Sequence, residues 1–106
     1  MALSKKYRLV SRSDFDKVFK EGKAVKGSFL FIKWLANEQG FPRFGFVVPK
    51  KVYSGAVDRN RLKRVLSEIV NPYVKNNLAN SRDFVVTVNK KGQESFIKNE
   101  LINLLG

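Results

Sequence analysis
Apolar positions recur along this chain first at helical spacing, then in short continuous blocks, and later at helical spacing again. Phe15, Val18 and Phe19 stand at i, i+3 and i+4 and form one stripe, which predicts a helix over residues 11–21. Ser13 or Ser11 is placed to cap it, Asp14 and Asp16 favour the positive end of its dipole, and Gly22 is a stop. Residues 28–36 and 43–48 are rich in Phe, Ile, Val and Trp and read as strands. Glu38-Gln39-Gly40 with Phe41-Pro42 supplies a connecting turn, so an antiparallel hairpin is expected between them. Pro49 ends the second strand, because proline cannot donate to a ladder.

Residues 53–57 read as a loop, with Asp58 placed to cap a second helix. From Arg59 onward, Leu62, Val65, Leu66, Ile69 and Val70 share one face at helical period. Asn71-Pro72 is expected to break or kink this helix, since the residue before proline avoids the helical region, and residues 73–78 then form a short turn. Asp83 leads into the β-branched run Phe84-Val85-Val86-Thr87-Val88, ended by Asn89-Lys90-Lys91-Gly92. A last helix runs from about Gln93 to Leu105, with Phe96, Ile97, Leu101, Ile102, Leu104 and Leu105 apolar. The order is helix, two or three strands, helix, strand, helix, an α+β sandwich in one domain spanning residues 1–106.

Charge sharpens this picture. The chain carries 21 Lys+Arg against 9 Asp+Glu, a formal +12, with neither His nor Cys. That inventory excludes zinc-finger, iron–sulfur and thiol-nucleophile chemistry and removes the commonest general base near neutral pH. Residues 1–10 lack the apolar run of a secretory signal, and the stretch around Phe29 to Ala36 is too short to span a bilayer. A cytoplasmic domain whose field attracts polyanions is expected, with nucleic acid ahead of a membrane surface.

Two zones concentrate the charge, residues 50–64 and residues 1–26, each with a balance of +5. On the second helix, Asn60, Lys63, Arg64 and Ser67 project together opposite the apolar arc, with Arg61 on their flank and Arg59 near the apolar edge. Cations in the first turns oppose the helix dipole, each at a few tenths of a kcal/mol. A local rule broken without compensation points to function. With Lys50-Lys51 adjacent and free amides at the helix start, phosphate binding is a better account than a merely solvated basic face. Phe15 and Phe19, four apart, are ordinary core residues by spacing. With Lys17 and Lys20 beside them, they also fit a stacking surface for unpaired bases. The carboxylates are scattered and no glycine-rich phosphate loop is present, so no catalytic residue and no metal ligand is assigned.

At Pro49-Lys50-Lys51-Val52 and Asp58-Arg59-Asn60-Arg61-Leu62-Lys63-Arg64 the chain resembles the protein subunit of bacterial ribonuclease P. Arg8-Leu9 before Asp14-Phe15, Val18-Phe19 with Gly22, Arg43-Phe44-Gly45-Phe46-Val47-Val48, and Asp83-Phe84-Val85-Val86 match in order over nearly the whole chain. The resemblance implies a helix–strand–strand–strand–helix–strand–helix sandwich, like the second domain of ribosomal protein S5, with a left-handed βαβ crossover. It implies a partner in the catalytic RNA, with Arg59, Asn60, Arg61, Lys63, Arg64 and neighbouring Lys50 facing it. It further implies a cleft for the 5′ leader of precursor tRNA at Phe15, Phe19, Lys33 and Lys51. Magnesium would be held by the RNA, the protein having no cofactor of its own and no obligatory protein partner. The chain departs from the family pattern at Lys33, where some relatives have an aromatic, and in the longer 53–57 loop. It departs again at Val70-Asn71-Pro72 and in ending at Gly106 without a basic tail. A ribosomal or other structural RNA-binding protein and a groove-reading DNA-binding domain are the alternatives from composition, the DNA reader being disfavoured by the aromatics.

Overall fold
The computed structural model describes residues 3–105; Met1, Ala2 and Gly106, the ends of the expected domain, lie outside the described residues. After a single 3-10 turn at Lys5–Tyr7 come α1 (Arg12–Glu21), β1 (Lys23–Lys26), β2 (Leu30–Ala36), β3 (Arg43–Val47), α2 (Ala56–Asn76), β4 (Arg82–Val88) and α3 (Glu94–Leu105). The four strands form one sheet in the order β1-β2-β4-β3.

This order overturns the expected hairpin. β2 and β3 do not pair with each other. β4 lies between them, antiparallel to β2 (Ile32 opposite Val86) and parallel to β3 (Phe46 opposite Val86). The reason lies in β4 itself, whose residues from Asp83 to Val88 are all buried. A strand apolar on both faces gains most at the centre of a sheet. The hairpin joins β1 to β2 instead, through residues 27–29, with the Gly27 amide donating to the Leu30 carbonyl at 2.8 Å. The β3–α2–β4 segment is a βαβ unit, as parallel neighbours require a crossover.

Each sheet face carries its own core. On one, Leu30, Ile32, Phe44, Phe84, Val86 and Val88 pack against Leu62, Leu66, Val70 and Val74 of α2 and Ile97 and Leu101 of α3. Phe44 and Phe84 stack at 4.6 Å, and Tyr73 meets both rings edge-on at 5.9 Å. On the other face, Val85 packs with Leu9, which precedes α1, and with Val18 of α1, and Phe15, Phe19, Leu35 and Val47 close around them. The Glu100 carboxylate straps α3 to the start of β2 by accepting from the amides of Ser28, Phe29 and Leu30 at 2.5–2.8 Å.

Two expectations about α2 are corrected. Its N-cap is Gly55 rather than Asp58, which stands inside the first turn. The helix also runs unbroken through Pro72 to Asn76. Pro72 and the Glu68 carbonyl it leaves without a donor both belong to exposed residues, so water can satisfy that carbonyl. Buried Val70 and Val74 hold the chain helical on either side. Among the described residues no helix is long and apolar enough to cross a membrane.

Candidate nucleic-acid interface
Burial of Leu62, Leu66, Val70 and Val74 fixes the rotation of α2 and leaves Asn60, Arg61, Lys63 and Arg64 exposed. The basic residues are not equivalent. Arg59 is half-buried, and its Nη1 donates to the carbonyls of Tyr53 (2.9 Å) and Ser54 (2.8 Å), tying the preceding loop to the helix. Arg61 reaches Glu94 of α3 at 3.1 Å in an exposed pair of little energetic weight. Lys63 and Arg64 have no carboxylate within 4.0 Å among the described residues. At the helix start the Asp58 carboxylate lies beside Gly55 and already occupies the positive end of the dipole, so incoming phosphate competes with it there.

Beside this face runs a groove of about 610 Å³ between α1, β3 and α2. Asn60, Lys63, Arg64 and Ser67 line one side, with Arg8, Phe15 and Phe46 among the residues of the other. Phe15 serves both core and groove. It is half-buried against Leu9, Val18 and Val85, yet part of its ring lines the groove. Gly45 makes this seat possible, since a Cβ there would collide with the tip of the Phe15 ring. Ser67, which projects with the polar face, is buried, and its hydroxyl donates back to the Lys63 carbonyl at 2.9 Å.

The remaining candidates lie outside the groove. Phe19 is half-buried on the α1 core, and Lys33 stands over it, 5.9 Å from the ring centroid. The Lys33 Nζ donates to the Phe19 carbonyl at 2.6 Å, a cation at the negative end of α1. Lys50 and Lys51 are exposed in the turn after β3. Spacing missed Arg8, Val10 and Phe46 as groove residues, because none belongs to a periodic stripe. Arg8 and Leu9 reach the groove through a parallel bridge to Phe44.

Some of the carboxylates are committed to structure. Arg43 binds Asp83 through two contacts of 2.8 Å and approaches Asp14 at 3.6 Å. The bond to Asp83 and the charges of Asp83 and Asp14 raise the Arg43 pKa above its ordinary value, against the opposing effect of burial. Among the described residues no group of three or more His, Cys, Asp or Glu could hold a metal ion. The surface can bind phosphates through Lys63 and Arg64, hydrogen-bond through Asn60, and offer Phe15 to a base.

The family model described as Ribonuclease P matches residues 3–106. The ribonuclease P protein component of Vibrio cholerae is 39% identical over 105 residues, covering 99% of this chain and 86% of that protein. Its counterpart from Nitrosococcus oceani is 33% identical over 98 residues, covering 92% and 80%. Among solved structures, the Staphylococcus aureus protein superposes with a TM-score of 0.82 at 27% identity, covering 93% of this chain and 92% of that one. The Thermotoga maritima protein superposes at 0.78 and 31% identity, covering 92% and 94%.

Proposed function
Because the chain belongs to the bacterial ribonuclease P protein family, we propose that it works as the protein subunit of that ribonucleoprotein in the cytoplasm. The exposed face of α2, with Asn60, Arg61, Lys63 and Arg64, binds the catalytic RNA. The groove bearing Phe15 receives the single-stranded 5′ leader of precursor tRNA. Phe19, Lys33 and Lys51 extend the leader surface, Lys50 extends the RNA surface, and Arg59 mainly orders the loop that carries Tyr53. The observation that carries this reading is the shared groove, which an aromatic ring and cations without carboxylate partners line together. One RNA can be clamped there by phosphate contacts while a base of the other stacks alongside.

The chemistry is assigned to the RNA. Asp83 is held by Arg43 and Glu100 by three amides, and among the described residues the acids form no group of three that could hold a metal ion. Magnesium therefore fits the RNA subunit, where it would activate water. The protein contributes positive charge where two RNAs approach, and it binds and orients the leader. A ribosomal role is not favoured by the family match.

Reconstitution tests this. Protein with a bacterial ribonuclease P RNA should release the leader at magnesium concentrations where the RNA alone is slow, and its advantage should shrink as magnesium rises. The nuclease-free protein alone should not cleave. Specific cleavage by protein alone, or no gain on adding it to RNA, would contradict the proposal.

A further inference from the structure
Away from the groove, the loop between β4 and α3 meets the start of β2 in an aromatic and basic patch. Phe96, in the first turn of α3, is 54% exposed and stacks on half-buried Phe29, with centroids 6.4 Å apart and planes 18° from parallel. Gly92 lets the loop pass close, because a Cβ there would collide with the Phe29 ring. Lys90 stands 5.6 Å from the Phe29 centroid, and Lys91 stands 5.5 Å from that of Tyr53. Of the nearby acids, Glu100 is engaged with the amides of residues 28–30 and Glu94 pairs with Arg61. Neither lysine has a carboxylate within 4.0 Å among the described residues.

The patch is continuous with α2. Tyr53, Arg61, Lys91 and Gly92 line one cleft of about 420 Å³ together with the carboxylates of Asp58 and Glu94, and the Tyr53 carbonyl holds Arg59. We infer that Phe96, stacked on Phe29, with Lys90 over the Phe29 ring and Lys91 over Tyr53, is a platform for an unpaired nucleotide of the catalytic RNA. It would extend the α2 contact across the Arg61–Lys91 cleft. The inference rests on the proposed binding of that RNA by α2. A ring that merely covered Phe29 would need neither its open half nor an unpaired cation over the ring beneath it. Base–aromatic stacking tolerates any base, and each lysine adds a phosphate contact.

The test measures affinity of the protein for a bacterial ribonuclease P RNA, with melting temperature followed in parallel. Phe96→Leu keeps apolar cover over Phe29 and removes the π-face, so affinity should fall about 5- to 150-fold with little change in melting temperature. Phe96→Trp should bind at least as well as the parent. Lys90→Ala with Lys91→Ala should lower the log–log salt slope by about 1.4. Full affinity in Phe96→Leu, or equal loss in the Leu and Trp variants, overturns the platform. Arg64→Ala separates the two ideas: weakening there with no effect at Phe96 rejects the platform alone. No weakening at either site rejects α2 binding and the platform together.

Discussion
At Phe15 the ring rests over Gly45 and is shared between the α1 core and the groove. Gly45→Ala should therefore displace Phe15 and act on both. Overpacking of this kind costs about 1–3 kcal/mol, and urea unfolding should show the loss together with weaker leader binding. A stable variant with unchanged leader affinity would mean that Phe15 does not depend on that seat. Arg43 makes a different case, because Asp83 is buried and paired with it. Arg43→Ala leaves that carboxylate with Asn37 Nδ2, at 2.7 Å, as its remaining side-chain donor and should cost about 1–3 kcal/mol, read as a lower urea midpoint. The raised Arg43 pKa means that its contribution is complete below the guanidinium's ordinary range and fades only at higher pH. Stability from this residue should be flat across the neutral range, so any titration seen there has another origin.

Among the elements, α2 can present the proposed interface because one side of it is fixed by four buried aliphatic residues. Arg61→Ala with Arg64→Ala removes only exposed atoms and one exposed ion pair, so the melting temperature should hold. Binding of ribonuclease P RNA should weaken, and its log–log salt slope should fall by about 1.4–1.8. A collapse in melting temperature would assign these residues to the fold. The elements also show where periodicity stops informing. α1, β2, β3, β4 and α3 were legible within two residues, because each has an apolar stripe or block. β1 was not located, since Lys23-Ala24-Val25-Lys26 is exposed throughout and exists only through pairing with β2. The order of strands was equally hidden, because β4 separates β2 from β3 by contacts distant in sequence. Asn71-Pro72 obeys a local rule that packing around Val70 and Val74 overrides.

For the whole molecule, a formal charge of +12 was readable from composition and places this chain among polyanion binders. The basic face of α2 was readable from helical projection, but its pairing with Phe15 was not. Projection assigns a side chain to a face without saying which element lies opposite or how much of a ring stays open. The groove joins the basic face of α2 to the aromatic residue, and its use by the leader is the central claim. The most direct measurement compares reconstituted holoenzymes containing the parent protein or Phe15→Ala. Affinity is determined for one precursor tRNA with its leader and for the same tRNA without it. Stacking at Phe15 predicts about a 5- to 150-fold loss for the leader-bearing RNA and none for the leaderless one. Equal loss for both RNAs, or no loss for either, would contradict it.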